Sequence, residues 1–195
     1  MKKYLLLIIT LMVIGMSSAS AQVVWGARIG LSKPTMTSSE GDNWDGKFGL
    51  ELGPVLYYSL KSNWYLNSGV QVSFKKFSDS YEGFNFDYQF IGVDIPVYAG
   101  YAFKLGKVSL YAQTGPYMTI KLSEKEKWSY DGESGSESSD EIKTINAGLG
   151  VMLGVNIHRF KIEAGYQFGL TNIWKEDYGF TSRINSLFLG VSYVF

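Results

Sequence analysis

From Leu187 to Phe195, the apolar residues Leu187, Leu189, Val191, Tyr193 and Phe195 alternate with Phe188, Gly190, Ser192 and Val194. A strict period of two places each set on its own face of a β-strand. This strand runs to an aromatic last residue with no tail to cover its edge. It is therefore expected to pair on both sides, which a closed barrel provides.

Seven further segments obey the same rule. Val23 to Ser32 sets Trp25, Ala27, Ile29 and Leu31 against Gly26, Arg28 and Gly30, and Phe48 to Leu60 sets Leu50, Leu52 and Leu56 against Gly49, Glu51, Gly53 and Tyr57. Leu66, Val70, Val72 and Phe74 oppose Asn67, Gly69, Gln71 and Lys75. Ile91 to Phe103 carries Asp94, Tyr98 and Gly100 on its weaker face. Val108 to Lys121, Ile145 to Val155 and Phe160 to Leu170 complete the set, the last with Lys161, Glu163 and Gly165 opposite Ile162, Ala164 and Tyr166. Each segment reaches the roughly 9 to 11 residues that cross a bilayer at a tilt near 45°. The pattern predicts an all-β chain, an eight-stranded antiparallel up-and-down transmembrane β-barrel.

The spacers alternate too. Lys33 to Lys47, Ser78 to Asp87, Leu122 to Glu141 and Asn172 to Ser182 are long; Lys61 to Asn63, Gly106 to Lys107 and Asn156 to Arg159 are short. Long loops outside and tight turns inside is the bacterial outer-membrane pattern, and an even strand count puts both termini on the periplasmic side. The longest spacer holds Asp131, Glu133, Glu137, Asp140 and Glu141 among Ser and Gly, a composition expected to stay mobile and solvated. It is a candidate for divalent-cation or lipopolysaccharide bridging, although its acids lack calcium-loop spacing.

Ahead of the barrel, Lys2 and Lys3 precede an apolar run from Tyr4 to Gly15, and Ala19-Ser20-Ala21 follows. This predicts a cleaved signal peptide over 1–21 and a barrel domain over 22–195. The run is shorter than the roughly 20 residues of a spanning helix. With Lys2 and Lys3 removed from 18 basic residues, 16 stand against 18 acidic ones, a balance that argues against a nucleic-acid partner. There is no cysteine, hence neither a disulfide framework nor a lipid-attachment site.

Alternation alone does not say which face points inward, and a soluble barrel would bury the apolar one. The apolar faces carry no charge, whereas the opposite faces mix Arg28, Glu51, Asp94, Lys121 and Glu163 with many glycines. A lone Arg or Lys on the lipid face near the midplane costs about 2 to 4 kcal/mol, so these residues are expected in the lumen. Glycine there makes room. Aromatics also gather near strand ends, with Trp25, Trp64, Tyr101, Phe103, Phe160 and Tyr193 at one level and Phe48, Phe74, Phe168 and Trp174 at the other, as in two interfacial girdles. The resulting lumen cluster is Arg28, Glu51, Asp94, Glu163 and Lys161. Arg28 is expected between Glu51 and Asp94, with Glu163 lower, near Lys161.

Four stretches together resemble the PorT-like or porin-family small outer-membrane β-barrel proteins of Gram-negative bacteria. They are Asp94-Ile95-Pro96-Val97, Tyr111-Ala112-Gln113-Thr114-Gly115-Pro116-Tyr117, Tyr166-Gln167-Phe168-Gly169-Leu170-Thr171-Asn172-Ile173, and Leu189-Gly190-Val191-Ser192-Tyr193-Val194-Phe195. Asp94 stands where that family often has Glu, and Gly165 where Arg is common. The resemblance implies the fold and the outer membrane more directly than an activity. Tyr193 and Phe195 resemble the terminal signal read by the barrel assembly machinery.

The catalytic inventory is thin. His158 is the only histidine, in a short turn away from the long loops, and no catalytic, cofactor or metal site is predicted. Gly148-Leu149-Gly150 lies inside a strand pattern and is not a phosphate loop. Two classes stay open. One is a structural or interaction barrel with a filled lumen, embedded in outer-membrane lipid and lipopolysaccharide and presenting loops to a protein partner; the other is a small-solute or secretion-associated channel. Eight strands favour the first, since their lumen can be filled by side chains.

Overall fold

The structure is a computed structural model that describes residues 23–41, 43–60, 62–81, 84–130, 133–137, 142–175 and 179–195. The signal-peptide reading falls outside these residues, as do Asp131, Asp140 and Glu141 of the acidic spacer. Ten strands follow in order: β1 (Val23–Ser38), β2 (Asn43–Ser59), β3 (Trp64–Gly69), β4 (Gln71–Tyr81), β5 (Phe84–Leu105), β6 (Val108–Tyr130), β7 (Glu133–Glu137), β8 (Ile145–Ile157), β9 (Phe160–Gly169) and β10 (Ser182–Val194).

Two of these are not separate walls. β3 and β4 are one strand interrupted at Val70, both pairing with β2 on one side and β5 on the other. The interruption faces Pro54, which has no N–H to give; its carbonyl still accepts from Val70 (3.2 Å) and from Gln71 Nε2 (3.2 Å). β7 pairs only with the upper part of β6. The remaining walls close into a ring, β1 to β2, β3/β4, β5, β6, β8, β9, β10 and back to β1, every pair antiparallel. These eight walls therefore form a closed barrel in which each is paired on both sides. Its seam pairs Gly26 with Val194 and Ser38 with Ser182, and Phe195 N–H extends it to Trp25 O at 2.9 Å.

Tight turns close one end. Ser62 and Asn63 (φ 58° and 68°), Gly106 (φ 64°) and His158 (φ 55°) adopt the left-handed conformations that two-residue hairpins require. Val23 and Phe195 lie at this turn end, and the other end is the loop end.

The loop end differs from expectation. Lys33 to Lys47 is not a loop: β1 continues to Ser38 and β2 begins at Asn43, with a register shift between Ser32 and Thr35 that accommodates Pro34. Leu122 to Tyr130 likewise continues β6, and 133–137 folds back on it as β7, so the acidic spacer is in good part a hairpin. At about 3.3 Å per residue, the 23 residues of β6 extend about 75 Å, far more than a tilted crossing of the hydrocarbon core needs. The strands thus rise well past the outer girdle as a paired sheet. Above that level the outer face meets water and loses its apolar signal, which is why the alternation ended early.

The orientation is inverted relative to a soluble barrel. Leu52 and Leu153 on the outer face are 55% and 64% exposed, whereas Arg28 and Glu163 on the inner face are 3% and 1% exposed. The outer face is an apolar belt fit for lipid, and the aromatics at the turn end meet in two groups. Trp64 meets Tyr101 (5.2 Å between ring centroids), Tyr101 meets Phe103 (4.8 Å), Phe160 meets Tyr193 (5.2 Å) and Tyr193 meets Phe195 (5.6 Å). Trp174 does not join the upper girdle; it is half-buried against the cluster that caps the lumen.

Candidate functional site: the lumen

The inner face is built in levels. Nearest the turn end, Lys161 Nζ lies 4.2, 4.9 and 5.3 Å from the ring centroids of Tyr57, Tyr111 and Tyr65. Tyr65 meets both neighbours at 6.3 and 6.0 Å. Three tyrosines from β2, β3 and β6 thus hold one ammonium by its attraction to their ring faces.

Above it stands Glu163. Its Oε1 accepts from Arg28 Nη2, and its Oε2 accepts from Tyr111 (3.0 Å) and from Gln113 Nε2 (2.9 Å). Tyr65 in turn donates to Gln113 Oε1 at 3.2 Å. A carboxylate with three donors, one of them charged, is well compensated for its burial. The expectation that Arg28 would sit between Glu51 and Asp94 is therefore corrected: its partner is Glu163, two strands away, and Asp94 belongs to Lys75.

The next level is aromatic. Tyr98, Tyr117, Met152 and Phe188 pack together, and Arg28 lies 5.4 Å from the Phe188 ring centroid. Glycines in the wall make this packing fit. A Cβ on Gly190 would stand 2.6 Å from Phe188 Cζ, and one on Gly150 would overlap the Tyr98 hydroxyl. Lumen glycines therefore serve to seat rings flat against the sheet.

Higher still, Lys75 Nζ pairs with Asp94 Oδ2 at 3.2 Å, and Thr119 donates to Asp94 Oδ1 at 2.5 Å. Glu51 is buried alongside, close enough to feel the charges of Asp94, Lys75 and Arg28, and its Oε1 has no hydrogen-bond partner among the described residues. Lys121 pairs with Glu124 and donates to Ile142 O at 2.6 Å. A cavity of about 20 Å³ beside Lys75, Thr119 and Asn146 has room for one water. At the loop end, Met36, Phe77, Tyr88, Phe90, Ile142 and Ile173 form an apolar cap inside the mouth.

All five lumen positions, Arg28, Glu51, Asp94, Glu163 and Lys161, lie on the inner face; the first four are buried and Lys161 is half-buried. What the sequence reading missed is their partners. Tyr57, Tyr111, Gln113 and Lys75 shared the parity of the glycine-bearing face, which was the available signal, but parity gives no depth. Tyr193 and Phe195 lie at the seam, where Arg159 Nη1 donates to the Tyr193 hydroxyl at 3.3 Å. His158 is exposed in its turn. Among the described residues, no group of three or more His, Cys, Asp or Glu is placed to hold a metal ion.

A closed antiparallel barrel, apolar outside and charged within, defines a membrane-spanning β-barrel protein. The family model described as "Outer membrane protein beta-barrel domain" matches residues 17–175, and the chain belongs to that family. It is a protein of the bacterial outer membrane. Among solved structures, it is similar to Neisserial surface protein A (18% identity, 88% of this chain and 97% of that one, TM-score 0.48). It is also similar to Ail, the attachment invasion locus protein of Yersinia pestis (21%, 89% and 99%, TM-score 0.42), and to the outer membrane enzyme PagL (10%, 84% and 98%, TM-score 0.43). Comparison with curated protein sequences finds no match.

Proposed function

We propose that this is a closed-lumen interaction barrel, anchored in outer-membrane lipid and lipopolysaccharide and presenting its loop-end strands to a partner protein outside the cell. The observation that carries the reading is the sequence of barriers along the lumen: the Glu163 network, the Tyr98–Phe188 layer, the Lys75–Asp94 pair and the apolar cap. A solute crossing the barrel would have to break charge-assisted bonds at two levels and displace packed rings at two others. We assign the turn end to the periplasm and the tall loop-end sheet to the exterior, and we assign the chain no reaction. Within its family, the motifs around Asp94, Tyr111 and Tyr166 support a PorT-like subtype. The barrel assembly machinery is the partner expected during insertion, and nucleic acid is not one.

Planar-bilayer recording tests the reading. Purified barrel should give no stable conductance steps. Large, steady steps would overturn the closed lumen and favour a small-solute or secretion-associated channel.

A further inference from the structure

Below the Glu163 network the lumen widens at the turn end. There a cavity of about 360 Å³ opens, with Lys161, Tyr57 and Tyr65 at its floor and Ser109, Asn156 and Lys104 along one wall. Cross-strand register sets four of these six in one row: Lys104 opposes Ser109, Ser109 opposes Asn156, and Asn156 opposes Lys161. The row runs across β5, β6, β8 and β9.

Charge in this basin is not balanced. Arg28, Lys75 and Lys121, the other lumen cations, each have a carboxylate partner. Lys161 forms no ion pair among the described residues, and its neighbours there are the three tyrosine ring faces. The surrounding sequence supplies no acidic side chain. Segments 53–70, 98–115, 152–162 and 190–195 contain Lys61, Lys104, Lys107, Arg159 and Lys161 but no Asp or Glu. Glu163, the nearest acid in sequence, is occupied by Arg28, Tyr111 and Gln113.

We propose that the turn-end basin is a binding site for an oxyanion, a carboxylate or phosphate group on a slender ligand that enters from the turn side. Lys161 is the ion partner at the floor, the Ser109 hydroxyl donates a hydrogen bond, and Lys104 at the mouth draws the anion in. The tyrosine rings flank the ligand's body. The site is blind, because the Glu163 network closes it above, so it binds without conducting and stands whether or not the loops meet a partner.

The test uses the full barrel in a maltoside detergent, which carries no phosphate, at low ionic strength. Calorimetric titrations are run with inorganic phosphate, with an acetylated dipeptide ending in a free carboxylate, and with the same dipeptide as its amide. Saturable binding of either oxyanion and none of the amide is expected, and the tighter of the two identifies the source. Lys161→Met should weaken binding at least about tenfold and Lys161→Arg should retain it. Lys104→Gln should weaken it about two- to fivefold. Should Lys161→Met fail to fold, the ¹⁵N signal of the wild-type Lys161 ammonium decides: it must shift on adding the oxyanion. No saturable binding, equal binding of the amide, undiminished binding by Lys161→Met, or an unmoved ammonium signal would each overturn the site.

Discussion

Arg28 on β1 and Glu163 on β9 are joined by an ion pair that reaches past β10, the strand lying between them. Neither side chain meets solvent appreciably, with exposures of 3% and 0%. The pair therefore ties together three walls, one of them the seam where the barrel closes. Removing one partner leaves a buried charge unmatched, which costs about 3 to 5 kcal/mol. Glu163→Gln and Arg28→Met are each expected to lower the urea midpoint of the barrel in detergent. The double variant should recover much of the loss, and strictly additive effects would show that the two residues do not act as a pair.

Glu51 is expected to behave in the opposite way. It is as deeply buried as Glu163, but its Oε1 has no hydrogen-bond partner among the described residues, and its cationic neighbours serve other carboxylates. An unsatisfied buried carboxylate is a liability of about 1 to 3 kcal/mol. Glu51→Gln should leave the barrel's stability unchanged or raise it. A loss comparable to that of Glu163→Gln would place an unseen partner on Glu51.

The glycine positions give a third test. Phe188 lies across Gly30 and Gly190, so a β-branched side chain at either position would occupy the space of its ring. Gly190→Val is expected to cost about 1 to 3 kcal/mol through overpacking. Combining it with Phe188→Ala should relieve the clash, as read from the urea midpoints of the two single variants and the double.

These contrasts show what the sequence makes legible. Face assignment was readable throughout the membrane, because lipid demands apolar side chains at every second position, and Leu52 and Glu51 could be sorted by parity alone. Partnership was not readable. Arg28 and Glu51 sit on adjacent strands, yet strand tilt and shear slant the rows, so the neighbour of Arg28 in depth is a residue from β9. Beyond the girdle the signal faded for the same physical reason that it existed. Residues such as Lys125 and Lys127 continue β6 in pairing with β5 beyond a register shift at Ile91, but water on their outer side imposes no apolar choice. Pro34 does not end β1, because a bulge absorbs it.

That projecting sheet carries a pH-dependent clasp. Asp87 lies four residues beyond Ile91, the partner of the girdle residue Phe74, and so stands outside the membrane. It pairs with Lys76 at 2.8 Å and more loosely with Lys47 at 3.9 Å, and it accepts from Ser78. Partial burial pushes its carboxyl up, but the bonds from Lys76 and Ser78 and the two ammonium charges outweigh that, so the carboxyl lies below its ordinary value. A depressed value in the folded state gives a contribution that is complete above the ordinary carboxylate range and is lost as pH falls through the lower, folded value. Hydrogen exchange across residues 76–81 and 84–89 should therefore lose protection only on acidification below about pH 4, and Asp87→Asn should remove that dependence. An unchanged acid profile in Asp87→Asn would assign the effect elsewhere.

Phe195 separates stability from assembly. Its N–H bonds to Trp25 O at 2.9 Å, its ring leans on Tyr193, and it is 71% exposed at the level of the turn-end girdle. A charge at that interfacial depth costs a folded barrel only about 0 to 1 kcal/mol, and the backbone bond to Trp25 survives any substitution that keeps the N–H. Phe195→Asp should therefore leave the urea midpoint of barrel refolded in detergent nearly unchanged. In cells the same variant is expected to accumulate poorly in the outer membrane, because the aromatic pair Tyr193 and Phe195 is proposed to be read during insertion. The comparison uses heat-modifiable gel mobility for both samples, so that only folded barrel is counted. A variant that inserts at the wild-type level would show that Phe195 is merely one more girdle residue, and a large fall in the refolded midpoint would move its role from assembly to the closure of the seam.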